Sequence, residues 1–176
     1  MTREGALVVM ILVAVLLLVL LAWAWRRRTK RDAGLTAPIG EAPAGATVLC
    51  AFPGLYVATT RHDEPLERLA IKGLGFRSRG VVTVTDAGVV LDLAGTPRLF
   101  LPVHVLVAAG QSTVAIDRVV EPDGLTRLTW HIDADTIVDT YFRPQDASAR
   151  ALADAILPLI PTSSPASSPA QTGSDA

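Results

Sequence analysis

Only one cysteine, Cys50, occurs in 176 residues. No intramolecular disulfide can form, and a lone thiol is ordinary in a reducing compartment. Also missing are a paired zinc motif, a nucleophile elbow and a phosphate-binding glycine loop. Neither charge sign dominates, with 16 basic and 17 acidic residues in the chain. Between Ala46 and Ile160 there are 10 basic and 13 acidic residues, a net of −3. A nucleic-acid module would be clearly basic, so nucleic acid is not expected as a partner. There is no second long apolar run. The next richest stretch, Val81 to Ala109, is broken by Asp86, Asp92, Arg98 and His104. It therefore reads as strands of a water-soluble core, and the 50% hydrophobic content does not describe a polytopic protein.

What is present begins with Ala6 to Trp25, 20 consecutive residues without a charge. At about 1.5 Å per residue such a helix is about 30 Å long, the thickness of a bilayer's hydrocarbon core. Trp23 and Trp25 close the run at interfacial level, followed by Arg26, Arg27, Arg28, Lys30 and Arg31, whereas only Arg3 and the amino terminus precede it. Positive residues stay on the cytoplasmic side, which predicts a short outer N-terminus and residues 26–176 in the cytoplasm of a single-pass protein of the cell membrane. The rival reading is a cleaved signal peptide, with Ala22-Trp23-Ala24 as the small-x-small site. Against it stand an apolar run longer than a signal core and a basic cluster directly after the supposed cut.

The remaining chain divides into a linker over 26–45, a domain over 46–160 and a tail over 161–176. The linker carries glycine and proline without apolar periodicity, and as a flexible chain it would reach roughly 20–25 Å. The tail is rich in Ser and Pro and lacks the apolar residues needed to fold.

Within the domain the period is mostly two. Val82 and Val84 alternate with Val81 and Thr83; Asp86-Ala-Gly88 turns the chain; Val89, Leu91 and Leu93 resume the alternation. Gly95-Thr-Pro97 makes the next turn before Leu99, Leu101 and Val103, and Pro102 marks an edge or a strand end. Asp123-Gly124 opens a hairpin of Leu128, Trp130 and Ile132 with a partner over Thr136 to Phe142, while earlier strand material covers Val48 to Thr60. The period then changes. Ala149, Leu152, Ala153, Ile156 and Leu157 predict an amphipathic helix starting near Pro144 and stopped by Pro158 and Pro161. Six or seven antiparallel strands with one C-terminal helix form an α+β arrangement, the helix covering the open end of a bent sheet or incomplete barrel.

The order Leu74-Gly-Phe-Arg-Ser-Arg-Gly80, Asp86-Ala-Gly88-Val-Val-Leu, Pro102-Val103, Gly124-Leu125 with Leu128-Thr-Trp130, and Asp139-Thr-Tyr-Phe-Arg143 resembles the actinobacterial single-pass membrane proteins with a bacterial PH-like domain. The resemblance implies a pleckstrin-homology-type split β-barrel capped by a C-terminal helix, and it brings no established activity.

Lys72, Arg77 and Arg79 form the sharpest candidate site. Arg77 and Arg79 share a face if they lie on a strand, and Lys72 sits in the preceding glycine-containing loop, so the three cations are candidates for a phosphate or anionic lipid headgroup. Their spacing is similar to the Lys…Arg-x-Arg element of some PH domains. The plainer alternative is a solvated strand face paired with Asp63, Glu64 or Glu67. His131-Ile-Asp133-Ala-Asp135 has alternate residues on one side, as a metal site would, but hairpin-turn chemistry explains the two aspartates better. His62 and His104 stand isolated, Cys50 reads as a buried inert thiol, and Trp130, Tyr56, Tyr141 and Phe142 read as core. Leu66 to Ile71 is a helical turn or an extra strand with a surface open to a partner. No catalytic residue, metal or cofactor is expected, and an enzyme is the least favoured class. The leading expectation is a membrane-tethered interaction or scaffolding module with a protein partner, and the alternative is an anionic lipid sensor.

Overall fold

The computed structural model describes residues 3–32, 34–65, 67–115, 118–119 and 124–161. Residues 162–176 of the expected tail and the Asp123 position of the hairpin turn lie outside them. Helix α1 runs Arg3–Arg31. The strands are β1 (Val48–Arg61), β2 (Ser78–Thr85), β3 (Gly88–Leu93), β4 (Leu99–Pro102), β5 (Leu106–Ser112), β6 (Val114–Ala115), β7 (Arg118–Val119), β8 (Leu125–His131) and β9 (Ile137–Pro144), and helix α2 spans Ala149–Ile156.

Seven strands form one antiparallel sheet in the order β4-β3-β2-β1-β9-β8-β5, and β6 pairs with β7. Its two outermost strands, β4 and β5, are joined only by the 3-10 turn Val103–Val105. So short a connection places the ends of the sheet side by side, and the sheet curls into an unclosed barrel. The 14-residue β1 makes the curl possible: its first part pairs with β2, its second with β9, and the register slips between Tyr56 and Ala58. Such a bulge bends a strand and increases its twist.

Inside the curl lie Val82, Val84, Val89, Leu91, Leu93, Leu99, Leu101, Leu128, Trp130, Val138 and Phe142. These are the residues that a period of two assigns to one face. Leu152 and Ile156 of α2 close the open end. A smaller cluster of Val57, Ala58, Leu125 and Tyr141 forms separately from this core.

Two boundaries differ from the sequence expectation. The C-terminal helix does not start near Pro144, which is the last residue of β9 and pairs with Gly54. It starts after Ser148, whose Oγ accepts the Ala151 N–H at 3.1 Å. A hydroxyl that satisfies an otherwise orphaned donor sets the start more strongly than a permissive proline. Leu157 falls outside the helix and is exposed.

The second difference is in the supposed linker. Asp32 is buried, its carboxylate accepts the Ala70 N–H at 3.1 Å, and Arg61 lies 3.9 Å away. Ala37 joins the core, Ile39 bridges Leu99, the Phe100 N–H donates to Pro38 O at 3.0 Å, and the Gly40 N–H donates to Arg98 O at 3.1 Å. Residues 37–40 thus cover the outer edge of β4. Unpaired backbone groups of an edge strand favour such a partner, and a search for apolar periodicity does not detect it.

A chain of hydroxyls crosses the core. The Trp130 Nε1–H donates to Thr140 Oγ1 at 2.9 Å, Thr140 and Thr59 are joined Oγ1 to Oγ1 at 2.9 Å, and the Tyr56 phenol lies 2.9 Å from Thr59 Oγ1 and 2.6 Å from Leu74 O. The phenol has one proton and a carbonyl can only accept, so Tyr56 donates to Leu74 and receives from Thr59. Burial drives the Tyr56 pKa well above its ordinary value, although the Thr59 hydrogen bond and Arg68 oppose this. The raised folded-state pKa makes the phenol's contribution complete below the ordinary tyrosine value of about 10 and progressively lost at higher pH. Tyr56→Phe is expected to cost about 1–3 kcal/mol at neutral pH by leaving the Leu74 carbonyl unpaired. It should also flatten the alkaline loss of stability, as denaturant unfolding on either side of pH ~10 will measure.

Candidate functional site

The apolar stretch Leu7–Arg27 is long and apolar enough to cross a membrane. Helix α1 continues four residues past it, through the basic cluster. Arg27 stacks over Trp23 with its guanidinium carbon 5.6 Å from the ring centroid. Trp23, Arg26, Arg27 and Lys30 line one small pocket at this end. The side chains of Arg28 and Arg31 fall outside the described set.

From Trp25 to the buried Asp32 the chain is almost wholly helical, so the two are separated by about 10 Å along the axis. The domain meets the end of α1 here, where the Ala70 N–H donates to the Asp32 carboxylate. It is held there by the segment Arg68–Phe76, which stands between β1 and β2. Leu69, Ile71 and Leu74 are sunk in the core. The Leu69 N–H donates to Thr59 O at 2.9 Å, and Arg68 bridges to β1, with Nη1 donating to Gly75 O at 3.1 Å and Nη2 to Val57 O at 2.6 Å. The stretch after Leu66 is therefore neither a helical turn nor a strand of the sheet. It touches β1 through the isolated bridge of Arg68 with Thr60 and the Leu69 bond to Thr59, and Leu69 and Ile71 face inward while Ala70 is exposed.

A cleft of about 490 Å³ opens between α1 and this loop, lined by Trp25, Arg68, Leu69, Ala70, Ile71, Lys72, Gly75 and Phe76. Lys72 is exposed at its wall. Arg77 immediately precedes β2 and Arg79 lies on it; both are exposed, and neither lines the cleft. The strand register brings in a cation that spacing along the chain does not reveal. Arg79 is opposite Leu55 of β1, and Leu55 is opposite Arg143 of β9, so Arg79, Leu55 and Arg143 form one row across three strands. Neighbouring strands are about 5 Å apart, which sets the two arginines roughly 10 Å apart on one face. Trp25 and Arg143 were absent from the sequence-derived phosphate site, because only tertiary contacts join them to Lys72 and Arg79, whereas Phe76 lies within that stretch and was given no role in it.

The other candidate centres resolve into structural ties. Asp133 Oδ1 accepts the Asp135 and Thr136 N–H groups at 2.9 and 2.7 Å, and its Oδ2 accepts the Thr136 hydroxyl at 3.1 Å. These donors hold its carboxyl below the usual range and make it a turn residue. His62, isolated in the sequence, is not isolated in space. Its Nδ1 lies 3.1 Å from buried Asp139, which also accepts the Thr129 hydroxyl at 2.6 Å, and its Nε2 faces Asp63 at 3.6 Å. An aspartate orients the ring as in a hydrolase, but the ring's other nitrogen meets a carboxylate in place of a nucleophile. Cys50 is partly buried, and burial raises its thiol pKa, which lowers its thiolate content. Trp130, Tyr56 and Phe142 pack in the main core and Tyr141 in the smaller cluster.

An apolar helix leading into a curled seven-stranded antiparallel sheet closed by a short C-terminal helix defines a PH-like architecture. The chain belongs to the bacterial PH domain-like family, which it matches over residues 35–156. The match starts at the docked segment before β1 and ends with α2. Among curated proteins none matches the sequence. Among solved structures, the chain is similar to the C-terminal domain of an unknown protein from Leishmania infantum, at 14% identity and a TM-score of 0.38, over 78% of this chain and 98% of that one.

Proposed function

We propose that this protein is a single-pass membrane-anchored adaptor whose PH-like domain, held at the inner face of the cell membrane, binds a protein partner without catalysis. The supporting observation is the short, bonded connection between α1 and the fold. Asp32 and residues 37–40 give the domain a defined position at the end of the helix. The basic residues after the span orient that position toward the cytoplasm. Of the two ends of the sheet, β4 is covered by residues 37–40, and among the described residues β5 ends the other side, carrying exposed Val107. A partner would dock there on the exposed apolar Val107 side chain.

A second reading, an anionic lipid sensor using Lys72, Arg77 and Arg79, is favoured by Lys72 lining a cleft shared with Trp25. Crosslinking and affinity purification of the full-length protein from native membranes, beside an Arg77→Glu/Arg79→Glu variant, separates the two. The adaptor predicts one protein recovered near stoichiometry with both forms and crosslinked from position 107. Recovery of anionic lipid alone, lost with the variant, would replace the adaptor with the sensor.

A further inference from the structure

Phe76 is 80% exposed, and no other large hydrophobic outside α1 among the described residues exceeds the 64% of Ile39. Its exposure is imposed by the scaffold. Two residues earlier Leu74 is fully buried with its carbonyl held by Tyr56, and the intervening Gly75 carbonyl is held by Arg68. A rigid loop that presents an aromatic ring to solvent loses the free energy of its burial unless something apolar covers it.

The facing wall of the cleft identifies what covers it. That wall is Trp25, at the end of the apolar stretch Leu7–Arg27, so the cleft is continuous with the surface that hydrocarbon would coat. Leu69, Ala70 and Ile71 line its floor and Lys72 stands on its rim, with Arg26, Arg27 and Lys30 on the adjoining helix. Its volume of about 490 Å³ lies within the range of roughly 300–1,000 Å³ typical of small-molecule sites. Apolar walls opening toward the bilayer with cations at headgroup level match one chemistry: an amphiphile with a negative head.

We propose that this cleft holds an anionic glycerophospholipid of the adjoining leaflet, an acyl chain lying between Trp25 and Phe76 and its phosphate beside the Lys72 ammonium. The site differs from a ring of cations around a headgroup, because its larger contact is apolar and its second wall belongs to the anchor. It rests on the reading that α1 spans the membrane.

The test uses the full-length protein reconstituted into vesicles of phosphatidylcholine, with and without phosphatidylglycerol. Resistance to alkaline carbonate extraction reports insertion of α1, and native mass spectrometry after release into mild detergent counts retained lipid. Wild type is expected to be carbonate-resistant and to retain phosphatidylglycerol over phosphatidylcholine. Phe76→Ser and Lys72→Glu should remain inserted, keep their unfolding midpoints and retain roughly tenfold less, the factor that follows from losing part of an aromatic burial or a charge contact. Arg150→Glu, on the exposed side of α2, should retain as wild type does. An inserted wild type without preference for phosphatidylglycerol, or equal retention by all forms, overturns the lipid site. Extraction of wild type by carbonate overturns the anchor reading and the site with it.

Discussion

Gly54→Val will prevent the PH-like domain from folding. Gly54 stands where β1 changes partners, opposite Gly80 of β2 on one side and Pro144 of β9 on the other. A Cβ at this position would enter the Arg143 carbonyl oxygen and come within 2.7 Å of the Phe142 ring and 2.9 Å of Pro144 Cα. Two of these three obstacles are backbone, which cannot swing aside as a side chain does. Ordinary overpacking costs about 1–3 kcal/mol. Here relief requires breaking the β1–β9 ladder, and a cost above roughly 4 kcal/mol is expected, most of the margin of a small domain. Gly110→Ala is the matched control, because its Cβ would meet no atom within 4 Å. Circular dichroism and thermal unfolding will show a folded Gly110→Ala protein and an unfolded Gly54→Val one. A Gly54→Val domain that melts near wild type would overturn the crossing of β1 between β2 and β9.

Asp32→Ala should detach the domain from the helix end without unfolding it. The carboxylate is fully buried at the junction, accepting from Ala70 and lying near Arg61. Loss of a charge-assisted hydrogen bond costs about 1.5–3 kcal/mol, which raises the detached population about 10–150-fold. Hydrogen exchange resolves this locally: the Ala70 and Leu35 amides, the latter bonded to Asp32 O, lose protection by that factor. Protection in β2 and β3 stays as in wild type. Unchanged exchange at Ala70 would mean that the carboxylate contributes nothing to the junction.

Both substitutions act where residues distant in the chain meet, and that is also where sequence reading fell short. Alternation identified inward side chains of β2, β3, β4 and β8, because a strand with one covered face repeats every two residues. Spacing of three and four placed Leu152 and Ile156 on the buried side of α2, although a proline misled the starting point by several residues. Asp133 was legible as a turn former because an Asx turn is made within four residues.

Other features depended on long-range geometry. Nothing around Pro38 or Ile39 announces a cover for β4, since the covering bonds are main-chain and any sequence can make them. The pairing of His62 with Asp139 spans 77 positions, and the row of Arg79, Leu55 and Arg143 needs the register of three strands.

The amino-acid order alone settled the long apolar helix, its basic flank, the strand alternation and the final amphipathic helix, because each is a pattern repeated over neighbouring residues. Folding in three dimensions decided that the supposed tether is docked, that Phe76 stands opposite Trp25, and that Lys72 shares their cleft. Those outcomes depend on strand register and backbone closure, and contacts between residues tens of positions apart leave no local period to read.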